Sequence, residues 1–307
     1  MRTPLTVLAI DDDAADLELL RRALEEVPDF AVSFLARHDA ASGLATLRQQ
    51  PVDVVFLDYL LCGQTGLDAL RQLRASGDQR PVVVLTSKGS ERIAAAFLRA
   101  GADDYLIKDD LNANTLSRSL RYVLEKHEHA RQRAQLEAEL YRLARFDDLT
   151  GLYNRRYLLD RLAEEFLRAR RYGSPLCVAM LDLDHFKEVN DTYGHLMGDT
   201  VLATVGGVIR ATVRATDIAG RYGGEEFCLV LTETKLEGAR LLAERLRRRV
   251  AAEPFPAPHG ATFFVTCSIG VAPFTPDMRN VTTLLARADQ ALYQAKAAGR
   301  NRVVLAG

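Results

Sequence analysis

The chain is poor in cysteine, with four scattered over 307 residues and no CxxC pair. That argues against a disulfide scaffold and a zinc site, and it fits a reducing cytoplasm. Cys177, Cys228 and Cys267 lie inside apolar runs and read as core residues. No apolar run approaches the ~20 residues of a membrane span. The opening MRTPLTVLAIDDD meets acid before a signal-peptide core can form, so a cytoplasmic location is expected. Neither charge is in excess: 40 basic residues stand against 41 acidic ones. A surface-wide binder of nucleic acid or anionic membrane is therefore not expected. What remains is an ordinary globular composition, 48% hydrophobic and 26% charged, and length for about two domains at ~150 residues each.

Residues 1–112 alternate apolar runs with helical patterns. Leu5–Ile10, Ala31–Leu35, Val52–Leu57, Val82–Leu85 and Asp104–Ile107 read as strands. Between them Leu17/Leu20/Leu24, Leu44/Leu47, Leu67/Leu70/Leu73 and Ile93/Phe97/Ala100 keep helical spacing. Five such units predict a doubly wound parallel sheet, with polar chemistry beyond the carboxyl ends of its strands. Those ends carry Asp11, Asp12 and Asp13, then Asp58, then Thr86 and Ser87, then Lys108. In strand order 2-1-3-4-5 these four ends adjoin and the acid-free second strand is an edge. Clustered carboxylates call for a cation, and Mg²⁺ suits hard oxygen ligands. With a lysine and a hydroxyl alongside, the set reads as a phosphoryl acceptor. Asp13 by itself reads equally as a helix cap.

Asp11-Asp12, Asp58, Thr86, Tyr105 and Lys108 resemble, in order and spacing, the receiver domain of two-component response regulators, over about residues 4–125. The resemblance implies a flavodoxin-like domain (1–125) phosphorylated on Asp58 by a cognate histidine kinase or phosphotransfer protein. It implies Mg²⁺ held by Asp12, Asp58 and the Leu60 carbonyl, with Asp11 assisting through water. Thr86 and Tyr105 would be the switch pair, with Lys108 beside them. Two residues depart from the pattern: Cys62 and Asp109 stand where proline is usual.

Residues 113–147 lack glycine and proline and look helical throughout. Leu116, Leu120 and Val123 continue a core stripe, and Leu136, Leu140 and Leu143 form a second one out of heptad register with it. Residues 126–147 are thus a helical connector, read as pairing with its copy in a dimer. His127 and His129 read as surface residues.

The second half, 148–307, begins DLTGLYNRR, where Asp148 can cap and a helix should run from about Arg155 to Arg171. An apolar strand, Leu176–Leu183, ends in LDLDHFK. Alternation puts Asp182 and Asp184 on one face of it. One helix with Leu202, Val205 and Ile209 in its stripe should follow, then two strands around RYGGEEF with a tight turn at Gly223-Gly224. This β-α-β-β unit brings Asp182 and Glu225 together, with no basic neighbour in either motif, and again suggests a divalent metal. In ALYQAKAAGRNRV, Lys296 and Arg300 stand at i, i+4 as a clamp for outer phosphates.

DLTGLYNRR, DLDHFKEVNDTYGHLMGD, RYGGEEF, SIGVA and ALYQAKAAGRN resemble the GGDEF family of diguanylate cyclases, over about residues 146–305. The resemblance implies a palm-like, nucleotide-cyclase-like α/β domain that joins two GTP into cyclic di-GMP and releases two pyrophosphates. It implies Mg²⁺ on Asp182, the Leu183 carbonyl and Glu225, with Glu225 also the base for the ribose 3′-hydroxyl. Asn190 and Asp199 would read guanine, and backbone N–H groups around His185-Phe186 would hold phosphates. Lys187, Lys296 and Arg300 would counter charge. Arg214-Ala-Thr-Asp217 matches the family's inhibitory product site, with Arg245 as a second arginine. The product demands that each GTP attack the other, so two domains must face each other across a two-fold axis. Phosphorylation would then control cyclase pairing. The competing reading is a catalytically silent response regulator that binds GTP or cyclic di-GMP. A mixed-purine cyclase is disfavoured by Asp199, and a DNA-binding regulator by the lack of a helix-turn-helix region.

Overall fold

Val7, Leu8, Val54, Phe56, Val82 and Val83 have essentially no exposed surface, because helices cover both faces of the strands that carry them. The computed structural model describes residues 2–87, 91–257 and 261–307. Contacts divide the chain into two units between Leu136 and Glu137.

The first unit holds β1 (Thr3–Ile10), β2 (Phe30–Arg37), β3 (Val54–Asp58), β4 (Val82–Thr86) and β5 (Asp104–Ile107). They form a parallel sheet in the order β2-β1-β3-β4-β5. Strand alternation sorts the core. Leu5, Val7, Ala9, Val54 and Phe56 pack with Leu17, Leu20 and Leu24 of α1 (Ala14–Glu25) and with Leu116, Leu120 and Val123 of α5 (Ala113–Arg145). Leu8, Ile10, Val55 and Leu57 face α2 (Ala40–Gln49), α3 (Gly66–Ala75) and α4 (Glu91–Arg99), through Leu47, Leu70 and Phe97. The expected strand order is the observed one, so the carboxyl ends of β1, β3, β4 and β5 share one edge.

At the opposite end of this sheet, buried Asp103 accepts from the Val82 N–H at 3.0 Å and from Lys126 Nζ at 3.0 Å. His127 Nε2 lies 2.8 Å away. His127 is thus half-buried against an acid, not the free surface residue its sequence suggests. Burial raises the Asp103 carboxyl, but these partners outweigh it and hold the group below the usual range. Its folded value lies below its unfolded one, so the stabilisation is complete above pH ~4 and is lost as pH falls through the lowered value. Asp103→Ala is expected to cost about 2–3 kcal/mol at pH 7, and progressively less below pH ~3. Urea unfolding across that pH series checks it.

Helix α5 is one unbroken helix of 33 residues, as the absence of glycine and proline predicts. Its first stripe is buried, whereas Leu136, Leu140 and Leu143 are 65%, 65% and 48% exposed. No helix among the described residues is long and apolar enough to cross a membrane.

The second unit is built on β6 (Leu176–Leu183), which is buried along its whole length. With β7 (Ile218–Gly223), β8 (Glu226–Thr232), β9 (Cys267–Pro273) and β10 (Val303–Leu305) it gives the sheet order β10-β9-β6-β8-β7. The inner pairings are antiparallel, and β10 is parallel to β9. Cys177, Ala179, Leu181 and Leu183 face α8 (His195–Arg210) and α9 (Leu236–Ala251). Val178 and Met180 face α6 (Arg155–Tyr172) and α10 (Val281–Ala297). Cys177, Cys228 and Cys267 are core residues, as expected, and Cys62 is exposed.

Three local expectations fail here. Asp148 does not cap α6; Asn154 does, accepting from the Tyr157 N–H at 3.0 Å, while Asp148 pairs with Arg142 at 2.7 Å. The single helix expected after β6 is two, α7 (Phe186–Tyr193) and α8, divided at Gly194 with φ +81°. Arg300 does not share a helix face with Lys296, because α10 stops at Ala297 and Gly299 turns the chain away at φ +109°.

Candidate functional site

Two acidic sites form, one in each unit. In the first, Asp11, Asp12 and Asp58 present oxygens within 4.8 Å of one another. Lys108, opening a 3₁₀ turn at Lys108–Asp110, places Nζ 2.7 Å from Asp11, 2.7 Å from Asp58 and 2.6 Å from Asp16. Asp16 was not anticipated; it lies one turn into α1, and only the fold shows that it faces this edge. Burial pushes the Asp11 carboxyl up against the pull of Lys108 and the Asp13 N–H. Burial also opposes the Lys108 charge, but hydrogen bonds to Asp11, Asp16 and Asp58 lift it above its usual range. The Leu60 N–H donates to Asp58 at 2.8 Å, and Asp13 caps α1 through the Ala15 N–H. Thr86 is buried and Tyr105 is 39% exposed. An all-oxygen donor set with more acid than base fits Mg²⁺.

In the second unit, strand register assembles the acids. The Leu183 N–H donates to the Glu225 carbonyl at 3.4 Å, and Glu226 lies directly across the ladder from Asp182. Burial raises the Asp182 carboxyl against the opposing pull of Lys296, and the charges of Glu225 and Asp184 push it the same way as burial. Burial and Asp182 likewise raise Glu226. A base from outside both motifs sits here: Lys296 Nζ lies 2.8 Å from Asp182 Oδ2. Helix α10 comes from the far end of the sequence, so neither acid motif reveals it. Glu226 was also missed as a neighbour of Asp182, although antiparallel pairing from the turn carries that signal. This carboxylate-rich set again fits a divalent cation.

Asn190 is half-buried on α7, and Asp199 is exposed near the start of α8. Gly198 lets α8 pack closely on Asn190: a Cβ there would lie 1.9 Å from Asn190 Oδ1 and 3.2 Å from the Phe186 ring. Gly198→Ala is therefore expected to displace Asn190 and raise KM for GTP about tenfold or more, the size of one or two lost polar contacts. Initial rates against GTP concentration check it. His185, immediately before α7, is left-handed at φ +58°, with Nδ1 2.7 Å from Glu188. Phe186 is buried below it. Lys187 is exposed, with no ion-pair partner among the described residues.

Asp184, beside these groups, is 4% exposed. It accepts from Thr266 Oγ1 and Ser268 Oγ at 2.7 Å each and from the Asn301 N–H at 3.0 Å. Rather than joining Asp182 in the acid cluster, it holds two other segments of chain, the start of β9 and the turn at Asn301.

Behind the sheet, Arg214 and Asp217 line a cleft of about 620 Å³ with Arg161, Glu165, Arg168 and Glu233. Asp217 Oδ2 accepts the Arg214 N–H at 3.0 Å, while its Oδ1 is buried with no partner among the described residues. Arg245 lies outside the cleft lining and donates to the Thr212 carbonyl at 2.9 Å.

One further link joins the start of this unit to the Glu225 turn. Arg221 Nε donates to the Gly224 carbonyl at 2.9 Å, and its Nη1 lies 3.2 Å from Asp147. Asp147 follows the end of α5 and accepts from the Thr150 N–H and hydroxyl. Burial notwithstanding, those bonds and Arg221 hold its carboxyl below the usual range.

The family described as "Diguanylate cyclase, GGDEF domain" matches residues 144–302, and "Response regulator receiver domain" matches residues 7–121. The chain is similar to response regulator PleD of Caulobacter vibrioides, 36% identical over 258 residues, covering 83% of this chain and 56% of PleD. It thus spans about half the length of the curated relatives it matches. Among solved structures it is similar to the coiled coil and GGDEF domain of DgcB from Caulobacter crescentus, in complex with c-di-GMP. That match is 34% identical, covers 62% of this chain and 100% of that one, and has a TM-score of 0.56. It is also similar to diguanylate cyclase SiaD of Pseudomonas aeruginosa, solved with its activator SiaC, at 32% identity, 96% and 97% coverage and a TM-score of 0.52. With acids gathered at both strand edges and both families matched in sequence, the chain belongs to the GGDEF diguanylate cyclases that carry a response regulator receiver domain.

Proposed function

We propose that this protein is a phosphorylation-regulated diguanylate cyclase. It condenses two GTP into cyclic di-GMP and two pyrophosphates between two chains related by a two-fold axis. The observation that carries this reading is the β6–β8 register, with Glu225 on the Leu183 N–H and Glu226 across from Asp182.

Asp182, the Leu183 carbonyl and Glu225 would hold Mg²⁺, which neutralises their charge and polarises the triphosphate when bound. Glu225 takes the proton from a ribose 3′-hydroxyl. That oxygen bonds to the α-phosphorus of the GTP held by the other chain, and the α–β phosphoanhydride bond breaks. Pyrophosphate leaves with the electron pair, and the same exchange in the opposite sense closes the ring. Lys187, Lys296 and Arg300 offset the charge that builds on the leaving group. Asn190 and Asp199 accept from guanine N–H groups, which adenine does not match. The exposed Leu136, Leu140 and Leu143 stripe supports pairing with a second copy. The open Oδ1 of Asp217 beside Arg214 supports a product site in the cleft, where cyclic di-GMP inhibits. Phosphorylation of Asp58 by a histidine kinase or phosphotransfer protein would set the pairing.

The test is one assay with GTP and Mg²⁺, with and without acetyl phosphate, reading cyclic di-GMP and pyrophosphate. Formation of both in a 1:2 ratio supports the reading. GTP binding without either product would favour the silent regulator. Sedimentation in the same buffers reads the dimer, and a monomer with full turnover would refute the two-chain mechanism.

A further inference from the structure

Three consecutive residues after α10 are left-handed: Gly299 at φ +109°, Arg300 at +60° and Asn301 at +45°. Glycine adopts this freely, but two non-glycine residues in a row do not without outside support. The support is visible. The Asn301 N–H donates to the buried carboxylate of Asp184 at 3.0 Å, and the Asn301 side chain accepts from Arg247 at 2.6 Å. Arg247 is itself held by Glu244 at 2.6 Å. The Arg300 N–H ends on the Ala295 carbonyl at 3.0 Å. All of these bonds fix the main chain on either side of Arg300, while its guanidinium has no partner among the described residues.

Asp184 follows Asp182 by two residues, and Arg300 follows Lys296 by four. Lys296 is on Asp182, and the turn bearing Arg300 is on Asp184. The strand end therefore seats both parts of the C-terminal segment. A buried carboxylate satisfied by two hydroxyls alone would serve the core. The third bond, to the one N–H flanked by strained residues, serves the turn.

We propose that Asp184 is a positioning residue: with Asn301 it holds Arg300 in the left-handed turn that presents its guanidinium to the outer phosphates of GTP. This rests on the cyclase reading of the site and extends it to a carboxylate that touches neither metal nor nucleotide.

The test is a double-mutant cycle in the full chain with Mg²⁺. The probes are GMP and a GTP analogue with a methylene group between its α- and β-phosphates, which cannot release pyrophosphate. Asp184→Ala should weaken the analogue about tenfold, the scale of a lost contact to a charged group, and leave GMP within about twofold. Arg300→Ala should do the same, and the double variant should be no weaker than either alone. Equal weakening of GMP, or losses that multiply, would overturn the proposal. Should Asp184→Ala fail to fold, Asn301→Ala decides. It is exposed, loses the Arg247 bond and puts alanine at positive φ, and it should weaken the analogue about threefold only while Arg300 is present. Wild-type protein that binds the analogue but makes no cyclic di-GMP would remove the cyclase reading and leave the affinity cycle to decide the role of Asp184. Wild type that binds neither nucleotide would overturn both.

Discussion

Glu225→Ala, supplied with GTP and Mg²⁺, is expected to lose cyclic di-GMP formation by at least about a thousandfold, in line with loss of a general base. On the proposed function two roles leave with one side chain: an oxygen for the cation and the acceptor for the 3′-hydroxyl proton. The turn itself should survive. Its anchor is the Glu225 carbonyl on the Leu183 N–H, which alanine keeps, and Arg221 still holds the neighbouring Gly224 carbonyl. Unfolding should accordingly match wild type, and the analogue should still bind. A variant that keeps turnover within tenfold of wild type would strip Glu225 of both roles. Glu226, opposite Asp182 and raised by burial, would then be the acid to replace next.

Asp58→Asn should abolish phosphoryl uptake and, with it, any difference in cyclase rate with or without acetyl phosphate. On the proposed function the Asp58 carboxylate is the group that would form an acyl phosphate: Lys108 sits 2.7 Å from Oδ1, and the Leu60 N–H donates to Oδ2 at 2.8 Å. In the transfer, a carboxylate oxygen bonds to phosphorus as the donor's phosphorus–oxygen bond breaks, while Lys108 offsets charge on the moving phosphoryl group. Asparagine keeps the shape and one acceptor but has no carboxylate to attack. Intact-mass spectrometry after acetyl phosphate reads the uptake, and paired initial rates read the response. A phosphorylated Asp58→Asn chain would move the acceptor to another acid of the cluster. Equal wild-type rates with and without phosphodonor would disconnect the receiver from the cyclase.

The parallel sheet was legible because its strands are doubly buried and its acids fall at strand ends, where alternation and topology both point. The meeting of Asp182 with Glu225 was legible because one β-α-β-β unit brings the strand ending in LDLD beside the RYGGEEF hairpin. What escaped were contacts made by distant segments. Lys296 on Asp182, Asp16 on Lys108 and Asn301 on Asp184 each join elements whose packing no local period encodes. Helix ends escaped too. The breaks at Gly194 and Gly299 were read through, because a single glycine inside a helical pattern is ambiguous until its φ is known.

Arg221 joins two places within the second unit. One hand grips the residue that follows the long helix, the other the peptide that precedes Glu225. A substitution of Arg221 would therefore release the Asp147 segment and the Gly224 peptide together.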